Sequence, residues 1–274
     1  MKNSIWPNKE TKIYISMAIN PGNSGATLHN TLFKILKLNK IYLPLKIKNI
    51  KQAKNILNYF KFDGCSLSMP YKEKLIKFAD KLDKNAKKIG SINTLLKKNN
   101  KLIGFNTDYF ASKEIFKKQK LSKNSNILIL GCGGVAKAIL HSLIDLNFRK
   151  IYLSSRNKKK FNKIKIKKKI IFLKWNERQN LKADIIVNST PLGMFGKFDN
   201  KIPINISKKN IPKFIYDLTV NPSGNLLFKF AKKNKIKYMS GLQSSYLQGI
   251  RQFEIYNNIK LKSKVLKRAG IPIF

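Results

Sequence analysis

Three short stretches carry residue types from which a reaction could be built. "GFNTDYF" (104–110) sets a carboxylate, Asp108, between two apolar runs, in a chain with 13 acidic residues against 57 basic ones. "SLSMPYKEKL" (66–75) supplies an ammonium, Lys72, and a hydroxyl, Ser68. An ammonium and a carboxylate together make a proton-handling pair, and Asp108 and Lys72 are the candidates for it. The third stretch, "ILILGCGGVAKA" (127–138), is an apolar run, then Gly131-x-Gly133-x-x-Ala136, then a helical pattern. Glycine at 131 permits a tight turn, glycine at 133 lets a phosphate approach the backbone, and Ala136 keeps helix and strand close. Gly134 and Val135 open a helix whose free N–H groups and positive dipole end suit a pyrophosphate.

The strand after this loop indicates which dinucleotide fits. An acid about 20 residues on would bond a ribose 2′-OH, but this strand ends "LSSRNKKK" (153–160), without one. Ser155, Arg156 and Asn157 can instead surround a 2′-phosphate, with Arg156 donating bidentately. The expected cofactor is therefore NADP, as NADP+ or NADPH. Lys158, Lys159 and Lys160 read equally well as a solvated basic run.

These residues need a scaffold. Strand patterns over 11–19, 40–47 and 64–69 alternate with helical patterns over 27–39 and 50–62, and Pro70 stands at the first turn of a further helix. That order predicts a parallel α/β layer. Strands at 150–157, 169–175, 183–190 and 213–220 join the one before the glycine loop in a second parallel sheet, with 235–241 as an edge strand. The helical pattern over 242–258 is expected to pack back on the first domain. The fold expectation is α/β and two-lobed, with a parallel α/β substrate domain formed by 1–108 and 242–274. Residues 109–241 form a Rossmann-type NADP-binding domain, and the C-terminal helices return to the first domain. A cleft between two such lobes is a common place for a ligand.

Composition narrows the class. With 274 residues, 43% of them hydrophobic, the chain can bury one large core or two modest ones. No apolar run is long enough for a membrane span, and the N-terminus lacks the apolar core and cleavage site of a secretory signal. Cys65 and Cys132 are isolated, which suits a reducing cytoplasm and not a disulfide framework or a metal site. The formal charge of +44 invites a nucleic-acid reading. The lysines, however, spread over nearly every segment, and arginine occurs only at 149, 156, 178, 251 and 268. The charge reads as the drift of an AT-rich genome and not as a nucleic-acid interface, although it should draw in anionic small molecules.

The motifs also carry a resemblance. "SLSMPYKE", "SINT", "GFNTD", "GCGGVAKA", "NSTPLGM", "YDLTVNP" and "SGLQSSYLQ" occur in the order and spacing of the shikimate dehydrogenase family, over about residues 11–260. The resemblance implies a cytoplasmic, two-lobed oxidoreductase of aromatic amino-acid (chorismate) biosynthesis that interconverts 3-dehydroshikimate and shikimate with NADP. Such an enzyme would be a monomer or homodimer, without metal or membrane. The family's catalytic Lys–Asp pair maps onto Lys72 and Asp108. Its substrate contacts map onto Ser68, Asn93 and Gln248, and its nicotinamide-lining positions onto Ser189, Thr190, Met194, Leu218 and Gly241. In the first loop, "NPGNSGATLHN" (20–30) has Asn23 and Gly25 where the family has two carboxylate-binding serines. Val220 replaces a tyrosine, and Ser66 an asparagine. Asn-x-Gly in this loop and "SMPYKE" look more like the shikimate dehydrogenase-like branch, which keeps the Lys–Asp pair but handles shikimate less well. They leave quinate or another cyclic hydroxy acid open as substrate, and a non-catalytic nucleotide- or RNA-binding protein as the rival reading.

Overall fold

A computed structural model describes residues 7–164, 166, 169–194, 196, 198–207, 210–220 and 225–272. Asn221 and Pro222 of the "YDLTVNP" stretch lie outside the described residues. The chain forms two compact units, one of Met1–Phe110 with Ser245–Phe274 and one of Ala111–Ser244.

The first unit is built on a six-stranded sheet in the order β2-β1-β3-β5-β6-β4. Its strands are β1 (Lys12–Ala18), β2 (Lys40–Lys46), β3 (Gly64–Leu67), β4 (Lys81–Leu82), β5 (Thr94–Lys98) and β6 (Lys101–Phe105). Alternation in β1 sends Ile15 and Met17 to one face and Tyr14 to the other. The first face is covered by α2 (Ile50–Tyr59) through Ala53 and Leu57. The second is covered by α1 (Ser24–Ile35), α9 (Gly241–Asn257) and α10 (Ser263–Arg268), through Leu28, Leu32, Phe33, Phe253, Tyr256 and Leu266.

β1, β2 and β3 run parallel, as the sequence pattern indicates, but the sheet is mixed further on. β5 pairs antiparallel with both β3 and β6, and β4 pairs parallel with β6. β5 is thus the single reversed strand among them. The start of β5 and the ends of β3 and β6 consequently lie at one edge of the sheet. The "GFNTDYF" stretch is the junction at that edge: Gly104 and Phe105 finish β6, and α5 (Thr107–Lys118) starts at once.

The second unit carries a six-stranded, wholly parallel sheet in the order β12-β11-β10-β7-β8-β9. Its strands are β7 (Asn126–Leu130), β8 (Lys150–Ser154), β9 (Ile171–Leu173), β10 (Ile185–Asn188), β11 (Phe214–Asp217) and β12 (Lys237–Ser240). All four residues of β10 and of β11 are buried, as expected of strands covered on both faces. The strand order reverses between β7 and β10, the switch point at which doubly wound folds bind dinucleotides. Among the described residues, no helix is long and apolar enough to cross a membrane.

Candidate active site

Unit 1 brings its chemistry to the carboxyl edge of its sheet. Lys72 lies in α3 (Tyr71–Lys74), which follows β3, and Asp108 lies in the first turn of α5, which follows β6. The Lys72 carbonyl accepts from Ile92 N at 2.9 Å, so the residue next to Asn93 is pinned to α3. Asn106 caps α5 by accepting from Tyr109 N at 3.1 Å. Asp108 therefore sits inside the first turn and not at the cap. Its carboxylate accepts from Lys72 Nζ at 2.6 Å, and the two side chains are only 17% and 12% exposed. Partial burial strengthens such a pair relative to one in water while leaving it reachable.

Beside the pair lie two oriented amides. Asn93, 1% exposed, accepts from Thr107 N at 2.8 Å and from Thr94 Oγ1 at 3.0 Å, and its Nδ2 donates to Thr107 Oγ1 at 2.9 Å. Gln248, on α9, accepts from Asn93 Nδ2 at 3.3 Å and from Thr107 Oγ1 at 3.2 Å, and donates to Ser245 O at 3.1 Å. The carbonyl end of each amide is thus spent on the scaffold. Behind them, Gln252 Nε2 donates to Thr94 Oγ1 at 3.0 Å, and Gln252 Oε1 accepts from Ser66 Oγ at 3.0 Å. Ser66 also shares a hydrogen bond with Tyr256 OH at 3.1 Å. Thr94, Thr107, Gln252 and Tyr256 complete this network, and the sequence reading did not single them out.

Ser68 is exposed just past β3, and its backbone N donates to Met17 O at 3.0 Å. Asn23 occupies the cap position of α1 without a side-chain cap hydrogen bond. A Cβ on Gly25 would come within 3.4 Å of Tyr42 Oη. These three residues follow β1 and β3, at the same sheet edge as Lys72, Asn93 and Asp108. Asn30 is structural: it accepts from Tyr42 N at 2.8 Å and donates to Tyr42 O at 3.0 Å. His29 is fully buried and stacked 4.5 Å from Tyr42. Among the described residues, neither of its ring nitrogens has a hydrogen-bond partner. Burial pulls its pKa down to about 3, with the nearby Gln252 side chain pulling the other way.

In unit 2 the glycine loop lies at the strand-order reversal. Gly131 has φ +107, and a Cβ there would meet Ser189 Oγ at 2.6 Å, so glycine is required on both counts. Gly133 differs, because among the described residues beyond its chain neighbours a Cβ there would meet nothing within 4 Å. Internal packing does not demand glycine at 133; a side chain would instead cover the start of α6 (Gly134–Asp145), where an anion would sit. That helix has no side-chain cap and no acid in its first turn, so its N–H groups are available to a phosphate. Val135 is half-buried and Ala136 fully buried beneath it.

After β8, Arg156 is exposed, and Asn157 N donates to Ser155 Oγ at 3.2 Å. Asn157 Oδ1 caps α7 (Lys158–Asn162), accepting from Lys160 N at 3.0 Å. Only its Nδ2 is left for a ligand. Ser189 Oγ donates to Leu130 O at 2.6 Å, and Thr190 Oγ1 donates to Asn188 Oδ1 at 2.7 Å. Both hydroxyls shape their loop. Met194 is exposed and Leu218 half-buried. A Cβ on Gly241 would collide with the Leu218 carbonyl.

Comparison with known proteins gives this arrangement a family. Residues 19–95 match the shikimate dehydrogenase substrate binding domain. A shikimate dehydrogenase (NADP(+)) of Clostridium beijerinckii is 34% identical over 241 residues, 87% of this chain and 88% of the relative. The chain belongs to the shikimate dehydrogenase family. A shikimate dehydrogenase-like protein of Haemophilus influenzae is 30% identical, covering 96% of this chain and 97% of its own. A solved shikimate dehydrogenase in complex with NADP+ superposes with a TM-score of 0.80 at 26% identity, covering 96% of both chains. Within the shikimate dehydrogenase frame, the α/β class with a Rossmann-type sheet stands as the sequence pattern indicated.

Proposed function

We propose that the protein is an NADP-dependent oxidoreductase that interconverts a ring ketone and its alcohol on a shikimate-like cyclic hydroxy acid, with 3-dehydroshikimate and shikimate as the leading pair. The observation that carries this reading is the 2.6 Å contact between Lys72 Nζ and Asp108 Oδ2, beside the amides of Asn93 and Gln248. In the reducing direction the Lys72 ammonium polarises the carbonyl and yields the proton that its oxygen acquires. The Asp108 carboxylate holds the ammonium in place and accepts from a neighbouring substrate hydroxyl. Positioned proton transfer of this kind contributes ~10²–10⁴ in rate. Gln248, its carbonyl end already committed, presents the second N–H of its Nε2 to a ring hydroxyl. Both N–H groups of Asn93 go to Thr107 and Gln248 and hold that amide in place; Asn93 would contact a substrate hydroxyl by giving up one of them.

NADP suits the residues of unit 2, and when bound it supplies or takes up the hydride. Gly131, Gly133, Gly134, Val135 and Ala136 would hold its pyrophosphate at the start of α6. Arg156 with Ser155, and Asn157 through its remaining Nδ2, would hold the 2′-phosphate. Ser189, Thr190, Met194, Leu218 and Gly241 would border the nicotinamide.

The substrate carboxylate falls to the Asn23 amide and the backbone N–H groups around Gly25. Exchanging two hydroxyls for these groups favours a second reading, a related acid such as quinate in place of shikimate. The kinship with the Haemophilus shikimate dehydrogenase-like protein supports that reading. A panel of cyclic hydroxy acids, each followed by NADPH formation with NADP+ and by NADH formation with NAD+, tests both readings. Turnover with at least one acid and a preference for NADP+ is expected. Absence of turnover on every acid, with tight salt-sensitive RNA binding instead, would favour the rival binding protein.

A further inference from the structure

In a chain with 13 acidic residues, one carboxylate is buried completely among neutral groups. Asp217, at the end of β11, is 0% exposed. Its Oδ1 accepts from Asn188 Nδ2 at 2.9 Å and from Thr219 N at 3.1 Å. Its Oδ2 accepts from Asn225 Nδ2 at 2.8 Å and from Tyr238 OH at 2.9 Å. Desolvation pushes this carboxyl up, and these hydrogen bonds pull it back. Neutral donors around a buried carboxylate are a costly way to hold a fold together, since apolar side chains would do as well.

The donors identify what the carboxylate holds. Asn188 shapes the loop after β10: its Oδ1 accepts from Thr190 N and Oγ1, and its Nδ2 donates to Leu192 O at 2.9 Å. Asn225 caps α8 (Leu226–Lys233), accepting from Leu227 N at 2.7 Å. Its amide also abuts Gly193, where a Cβ would approach Nδ2 to 2.6 Å and φ is +90. The loop ending at Met194 and the segment beginning at Leu218 are therefore tied to each other through Asp217. Arg156 stands at another strand end, that of β8, outside this clamp, while the glycine turn after β7 touches the clamped loop at Ser189.

We propose that Asp217 is a positioning residue for hydride transfer, fixing the two segments that carry Met194 and Leu218 so that they seat the nicotinamide. The inference rests on the NADP reading above. It predicts that damage at Asp217 spares the phosphate end of the cofactor and harms its reactive end.

The test compares wild type, Asp217→Asn, Tyr238→Phe and the double variant. Replacing carboxylate by amide turns one acceptor into a donor that faces other donors, and Tyr238→Phe removes one of those. For D217N the expectation is a kcat lower by ~10–100-fold and a larger primary isotope effect with NADPH deuterated at the transferred position. Its affinity for 2′,5′-ADP should stay within about 2-fold of wild type, and the double variant should recover part of kcat. If D217N does not fold, Tyr238→Phe alone should lower kcat by roughly 3-fold with 2′,5′-ADP affinity intact. Unchanged kcat and isotope effect, or a parallel loss of 2′,5′-ADP and NADP+ affinity, would overturn the proposal. Wild-type protein that binds neither 2′,5′-ADP nor NADP+ would overturn the cofactor reading, and this inference with it.

Discussion

Asn93 and Thr107 grip each other from both sides: the Thr107 backbone N donates to Asn93 Oδ1 at 2.8 Å, and Asn93 Nδ2 donates to Thr107 Oγ1 at 2.9 Å. Thr107 precedes Asp108, and Lys72 is tied by its carbonyl to the residue before Asn93. This grip therefore sets where the carboxylate and the nearby amide stand. The Thr107 hydroxyl also reaches Gln248. Thr107→Val keeps the volume and removes that bridge, leaving a buried amide donor without its acceptor. The expected cost is about 1–3 kcal/mol of stability, measured by urea unfolding. In steady-state kinetics, kcat/KM for the acid should fall by roughly 10-fold, with KM for NADP+ unchanged. Unaltered kinetics would show that Thr107 does not orient the site.

Two glycines in unit 2 should respond in opposite ways. A Cβ at Gly133 has open space around it among the described residues, so Gly133→Val should leave the melting temperature close to wild type while NADP+ affinity drops by at least ~10-fold. A Cβ at Gly241 collides with the Leu218 backbone, so Gly241→Ala should cost on the order of 1–3 kcal/mol or more, as overpacking does. Calorimetry and cofactor titration of both variants check the contrast. A destabilised Gly133→Val that still binds NADP+ would contradict it.

His29 predicts a pH signature of stability. Its folded pKa of about 3 lies below the ordinary histidine value of 6.5. Between those values the unfolded chain binds a proton that the folded chain refuses, so stability contributed by His29 is full above 6.5 and is lost as pH falls toward 3. His29→Phe keeps the stack on Tyr42 and removes the titration. Stability of wild type relative to this variant should be constant above about pH 7 and decline by several kcal/mol, on the order of 4, down to pH 3. Denaturant unfolding across that range measures it. A difference independent of pH would mean that the ring is not held neutral.

Much of this architecture is legible in the chain, and the failures have physical causes. The strands before and after the glycine loop, and the helices around them, announce themselves by runs of buried aliphatics such as Ile127–Leu130. The β5–β6 hairpin does not. Its strands carry Lys97, Lys98 and Lys101 at an exposed end, which blurs the alternation that marks a strand. The local signal was Asn99-Asn100, both at positive φ of 49 and 57, the requirement of a tight hairpin turn. Lys72, Asp108, Asn93 and Gln248 could be picked out by residue type and motif. The supporting hydroxyls of Thr94 and Thr107, and the amide of Gln252, could not, because their partners come from strands and a helix far apart in sequence. Asp217 had one clue, its rarity as an acid, but Asn188, Asn225 and Tyr238 converge on it only in the folded sheet.

The central claim is that Lys72 and Asp108 handle the proton of a ring hydroxyl while NADP handles the hydride. It is tested most directly by the rate of NADPH formation from NADP+ and the best acid of the panel, in wild type, Lys72→Ala and Asp108→Asn. The account predicts kcat at least ~10²-fold lower in each variant, with NADP+ affinity within about 2-fold of wild type. Variants that turn over as fast as wild type would contradict it.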